Sequence, residues 1–174
     1  MRIQIFLLSA ALFAVISCSE SSSAPSGCCG FPAIESHVGN AYAYVPNVFT
    51  PDGNGINDFL TLFGDSLVQI VSMEVFDANH HLVFRTLHIA PGDPSQGWDG
   101  TEKGHLLKGI FDVVFVVESY DGTVGTLTGK VCNYPCSHEG NEPVSASGCQ
   151  FSSQYNGTRY DATLGSLEDG GCFE

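Results

Sequence analysis

The chain has 174 residues, room for one ordinary domain with appendages and too little for two full-sized ones. Hydrophobic residues make up 43% and charged residues 14%, a globular balance unlike that of a charged disordered segment. Nineteen Asp and Glu against six Lys and Arg leave a formal net charge of -13, which repels phosphate backbones and argues against a nucleic-acid partner.

Met1-Arg2 supplies a short positive start, and residues 3–16 are apolar apart from Gln4 and Ser9. That stretch is short for a membrane-spanning helix and has the length of a signal-peptide core. Val15-Ile16-Ser17-Cys18 resembles a bacterial lipobox, in which a small residue precedes the cysteine that becomes the lipidated N-terminus. The resemblance implies removal of residues 1–17, lipidation of Cys18 and a membrane partner reached through that anchor. The alternative is an ordinary signal peptide with an incidental Cys18. Two or three acyl chains hold stably, since each buried methylene contributes about 0.8 kcal/mol. Residues 18–40 then form a flexible Ser-rich tether followed by a lead-in carrying Cys28 and Cys29.

From residue 41 to about 132 the chain reads as short strands separated by turn chemistry. Residues 41–48 alternate at first, but Pro46 lacks an amide donor, so the strand lies at a sheet edge or ends there. Residues 59–63 form a compact apolar run. Residues 69–77 and 81–87 flank Ala78-Asn79-His80 and read as a hairpin. Residues 109–119 are the clearest strand, with Phe111, Val113, Phe115 and Val117 on one face. Asp112, Val114, Val116 and Glu118 fall on the other, which places this strand centrally. Tyr120-Asp121-Gly122 turns into a last β-type segment, 123–131. Five to seven strands without a convincing amphipathic helix predict an all-β chain folded as a β-sandwich.

Residues 133–174 are rich in Gly, Ser and Asn and poor in apolar groups. Such a stretch needs cross-links to stay against the sandwich, so it reads as an irregular stapled tail. Besides Cys18, six cysteines remain: Cys28, Cys29, Cys132, Cys136, Cys149 and Cys172. An even number in an exported chain suggests up to three disulfides, with 15 possible connectivities that spacing does not resolve. A zinc site at Cys132-x3-Cys136 is the rival, but no second spaced pair accompanies it.

One set of motifs carries a family resemblance. Val45 to Asp58 reads VPNVFTPDGNGIND, followed by Val75-Phe76-Asp77, Leu82-Val83-Phe84, Trp98-Asp99-Gly100 and Gly109-Ile110-Phe111. In this order they resemble the gliding motility-associated C-terminal domain of Bacteroidota, over roughly half the chain. The resemblance implies an immunoglobulin-like sandwich, a cell-surface location and a sorting role in type IX secretion. Here the chain continues through a cysteine-rich tail and starts at a lipobox. The expected function is therefore that of a non-enzymatic envelope lipoprotein at the outer membrane, its sandwich a structural or binding module. The alternative is cargo or an accessory of the secretion and gliding machinery, with the sandwich as sorting domain. The partner in either case is an envelope or secretion-machinery protein.

Three further features have a chemical reading. Asp52, Asn54, Asn57 and Asp58 concentrate oxygen donors in a glycine-rich loop, a possible calcium site. The EF-hand template fails, because Ile56 and Asn57 stand where it needs an oxygen donor and a glycine. The rival is a loop whose side chains bond their own backbone. Trp98 could offer a surface contact or close the core. His80-His81, adjacent on an extended chain, read as a solvated hairpin end, and Asn156-Gly157-Thr158 as an incidental glycosylation pattern. No nucleophile elbow, zinc-protease motif, phosphate loop or dinucleotide fingerprint is present. Carboxylates such as Asp93 and Asp99 are what any acidic chain carries, so neither an enzyme nor a bound cofactor is expected.

Overall fold

The computed structural model describes residues 28–136, 146–167 and 173. Residues 1–27, with Cys18, and Cys172 lie outside the described residues. Among the described residues ten strands form in chain order: β1 (Ile34–Val38), β2 (Ala41–Val45), β3 (Val48–Phe49), β4 (Phe63–Asp65), β5 (Leu67–Phe76), β6 (Leu82–Ile89), β7 (Thr101–Glu102), β8 (His105–Leu106), β9 (Gly109–Ser119) and β10 (Val124–Asn133). Among the described residues no helix is long and apolar enough to cross a membrane.

The chain is all-β and sandwich-like. One sheet has the order β1-β2-β4, the other β3-β10-β9-β5-β6, and β7-β8 is a separate hairpin. β9 is central, as its two-faced pattern predicts: Phe111, Val113, Phe115 and Val117 enter the core. The opposing sheet contributes Ala41, Ala43 and Val45. β2 ends at Val45, and after Pro46-Asn47 the chain switches sheets to pair β3 in parallel with β10. Proline without an amide donor is where such a switch costs no ladder bond.

The expected hairpin pairs β5 with β6, and Asp77 builds its turn. Its carboxylate accepts the amides of Asn79 and His81 at 2.8 and 2.9 Å, while His80 takes the left-handed backbone that glycine usually supplies.

Two departures concern the domain limits. β1 lies within residues 18–40, assigned to the tether and lead-in, yet it pairs along its whole length with β2. Its polar Glu35, Ser36 and His37 hid it, since only Ile34 and Val38 reach the core. The β7-β8 hairpin was also missed: two-residue strands leave no alternation to read. Its turn, Lys103-Gly104, has positive φ at both residues, the geometry a two-residue hairpin favours.

Candidate functional site

The base of the sandwich is where N-terminal lead-in, β10 and tail meet. Cys28 bonds Cys132 and Cys29 bonds Cys149, so one dipeptide clasps the end of β10 to the tail. Cys136 is also disulfide-bonded. With Cys132 and Cys136 both in disulfides, the zinc alternative is overturned: a metal needs their thiolates. A second cluster packs Cys28, Val48, Cys132, Tyr134, Cys149, Phe151 and Phe173 around these bonds.

Asn47, fully buried, is the polar centre of the base. Its amide donates to the carbonyls of Phe31 and Gly148, both at 2.8 Å, and its side-chain oxygen accepts the Gln150 amide at 2.7 Å. Its backbone carbonyl accepts from Cys132 at 2.8 Å. Lead-in, sheet switch, β10 and tail thus meet on one side chain. Nothing in the composition marked it; only its place after Pro46 hinted at a special role.

The tail also covers the outer face of the three-stranded sheet. Alternation along β2 turns Ala41 and Ala43 inward and Tyr42 and Tyr44 outward. Tyr155 and Tyr160 stack on Tyr44 with ring centroids 6.2 and 5.4 Å away, and Tyr44 donates to the Phe151 carbonyl at 3.0 Å. Burial pushes the Tyr42 phenol up to about 12, helped by its hydrogen bond to Glu35, and burial raises Tyr44 further. The tail is therefore held by aromatic packing as well as by disulfides. Asn156 serves its turn, accepting the amides of Thr158 and Arg159.

The Asp52–Asp58 loop is self-braced. The Asp58 carboxylate accepts the amides of Asp52, Gly53 and Gly55 at 3.0, 2.7 and 2.7 Å. Asp52 accepts from the Asn54 amide and Asn54 from that of Ile56. Positively polarised N–H groups thus point where a calcium ion needs oxygens. Asn57 leaves the set altogether: its side chain bonds Ser152, Ser153 and the Ser166 carbonyl of the tail. The calcium reading of Asp52, Asn54, Asn57 and Asp58 is corrected to that of a backbone brace with one tail anchor.

Trp98 is likewise not a surface contact. It is fully buried against Phe49, Phe84 and Phe111, and its indole N–H donates to the Thr101 carbonyl at 2.8 Å. With both its apolar body and its polar handle satisfied, nothing of it is left for a ligand. Asp93 and Asp99 serve local turns, accepting from Ser95 and Thr101. His80 and His81 are exposed at the hairpin end.

The opposite end of the sandwich is built differently. There the β1–β2 turn, Ser66 and the β9–β10 turn converge. Asp121 accepts the amides of Asn40 at 3.1 Å and Thr123 at 2.9 Å, together with the Ser119 hydroxyl. The Ser119 bond, more than any other, holds the Asp121 carboxyl well below the usual carboxylate range. Tyr120 donates its amide to Ser66 at 3.1 Å, and its ring stands 74% exposed. Val124 (59%) and Val68 (43%) are exposed at the same end. One aromatic and two aliphatic side chains thus stand exposed at this braced end. The Tyr120-Asp121-Gly122 turn is legible in the sequence, but the exposed Val68 is not, because it comes from a bulge between Leu67 and Gln69 in a distant strand.

No protein-family model matches the chain, and none of the curated proteins compared with it does.

Proposed function

We propose that this protein is a non-enzymatic cell-envelope lipoprotein, anchored through Cys18 at the outer membrane, whose sandwich is a structural or binding module of the gliding motility-associated C-terminal type. The observation that carries this reading is the polarity of the sandwich. Cys28 and Cys29 are locked to one end by Cys28–Cys132 and Cys29–Cys149. The exposed Tyr120, Val124 and Val68 lie at the other end of β10. Ten residues of strand separate the two by about 30 Å. A module fixed at one end and apolar at the other presents its tip to a partner in the envelope or outside it.

The alternative, a sorting module of type IX secretion, rests on the Val45–Asp58 motif. The tail argues for the first reading, because Tyr155 and Tyr160 cover a sandwich face that a free terminal module would present. One experiment tests the proposal: labelling growing cells with an alkyne fatty acid, followed by fractionation. The protein takes up label and sediments with the outer membrane, and Cys18→Ala abolishes both. An unlabelled protein that stays membrane-bound in the Cys18→Ala variant overturns the lipoprotein reading.

A further inference from the structure

β10 is paired on both sides for only part of its length. β9 runs along all of it, from Val124 to Asn133, without a shift of register. On the other side β3 reaches only Cys132 and Asn133, because the chain before Val48 belongs to the opposing sheet.

Three hydrogen bonds fix the direction of the backbone groups between. The Cys132 amide donates to the Asn47 carbonyl at 2.8 Å and the Tyr134 amide to that of Phe49 at 3.0 Å, both on the β3 side. At the other end the Thr123 carbonyl accepts the Ser119 amide at 3.0 Å, on the β9 side. In an antiparallel ladder the N–H and C=O of one residue point the same way, and successive residues alternate. Thr126, Thr128 and Lys130 therefore aim theirs away from β9, and all three residues are exposed. Among the described residues no strand and no hydrogen bond meets those groups there. β6, the other edge of this sheet, is different: its ladder to β5 shifts register between Val75 and Phe76, and His88 near its end takes positive φ. Such irregularities are how native edges avoid strand addition, and β10 has none.

A groove of about 400 Å³ adjoins this edge, lined by Phe31, Ile34 and Glu35 together with Thr128 and Lys130. Ile34 lies over the inner face of β10 at Gly129, the face that Leu127 and Val131 turn to the core. The charges are uneven. Lys130 is paired with Asp112 at 2.6 Å. Glu35, at the groove, and Glu118, opposite Val124 at the far end, form no ion pair among the described residues. Their carboxylates accept only neutral donors, the Tyr42 hydroxyl and the Gln69 amide.

We propose that this edge of β10 accepts an extended segment of a partner protein as an added antiparallel strand, with a basic residue at each end of the segment. The site rests on the reading of the sandwich as a binding module and deepens it. Donors and acceptors repeating at every second residue match an extended polypeptide and not a small ligand. Residues of the segment that bond Thr126 and Thr128 turn their side chains to the outer face, and those between turn inward toward Ile34. The two carboxylates without cations, on a chain of net charge -13, select the basic ends.

The test is amide hydrogen exchange of the full chain, 15N-labelled in detergent micelles, with and without the capped peptide acetyl-Lys-Val-Thr-Val-Thr-Val-Lys-amide. In the free chain the amides of Thr126, Thr128 and Lys130 exchange fast, while those of Leu127 and Gly129, directed at β9, are protected. The peptide at millimolar concentration slows the first set about ten-fold and leaves the second unchanged. N-methylation of both its threonines abolishes the effect, and glutamate in place of both lysines weakens it several-fold. Thr128→Pro removes an amide that bonds nothing within the fold, and the protection at Thr126 and Lys130 is lost. Should that variant fold poorly, the N-methylated peptide carries the same information. No slowing by the parent peptide, or equal slowing by the N-methylated or glutamate peptide, overturns the proposal. So does protection of the three edge amides without peptide: independent of protein concentration it puts another segment of this chain on the edge, and rising with concentration a second copy. Loss of fatty-acid labelling at Cys18 leaves the exchange pattern unaffected, so the anchor and the edge fail separately.

Discussion

Ile34 on β1 lies so close over Gly129 on β10 that a β-carbon on the glycine would come within 2.6 Å of the Ile34 Cγ1. Four residues away the contact repeats, with Val38 set 2.7 Å from the position of a Gly125 β-carbon. The two glycines let an edge strand of one sheet settle directly onto the other. Gly125→Ala should cost about 1–3 kcal/mol by overpacking, because β-branched Val38 has little freedom to move aside. Gly129→Ala should cost less, since the flexible end of Ile34 can swing away. Urea unfolding of the disulfide-intact variants measures both.

Asn47→Ala leaves two carbonyls and one amide of the base without partners. The loss should reach roughly 2–4 kcal/mol, since each buried orphan costs about 1–3 kcal/mol and the three share one environment. Asn47→Asp should be no better, because a carboxylate cannot donate to Phe31 and Gly148. Denaturant midpoints check both variants, with Asn156→Ala on the exposed tail turn as a mild control.

The outer aromatic face predicts an alkaline transition. A phenol whose pKa in the fold lies above its ordinary value near 10 keeps its proton through folding. The Tyr42 contribution is therefore complete below pH 10 and lost as pH rises through about 12. Tyr44 and Tyr155, raised by burial, reinforce the trend. Tyrosinate absorbance from the tail-covered group should rise only as pH approaches about 12, accompanied by release of the tail.

At the tip the sign reverses. Asp121 is held ionised, so its contribution is present above pH 4 and is lost as pH falls. Asp121→Asn should flatten the acid limb of the stability profile and raise amide exchange at Asn40 and Thr123. An unchanged acid limb would show that the brace contributes nothing.

The two disulfides made by the Cys28-Cys29 dipeptide differ in weight. Cys28–Cys132 spans 104 residues, and a loop of that size gives up to about 4–5 kcal/mol in the chain-entropy account. Once it is closed, Cys29–Cys149 closes only the roughly 17 further residues between β10 and the tail, about 3 kcal/mol on the same account. Cys29→Ser/Cys149→Ser should loosen the tail first, read as faster exchange at Gln150 and Tyr155. Cys28→Ser/Cys132→Ser should lower the global melting temperature more.

The strands that sequence reading located are those whose side chains alternate over enough residues to record two environments. β9 shows both faces in Phe111 to Val117, and Pro46 marks the end of β2. β1 escaped because Glu35, Ser36 and His37 interrupt it, and its membership rests on β2 and β10 lying beside it. The cysteines announced disulfides, but their pairing depends on where β10 ends relative to the lead-in. Trp98 was ambiguous between core and surface, and the rings of Phe49, Phe84 and Phe111 decide it.

Local chemistry alone therefore determined that this chain is all-β, where its main turns fall and that its cysteines pair. The covered aromatic face, the Asn47 hub, the braced tip and the half-paired edge of β10 were decided by tertiary structure. Each joins groups from separated segments, such as Tyr44 to Tyr155 or Asn47 to Gln150, and periodicity reports only what a segment does within itself.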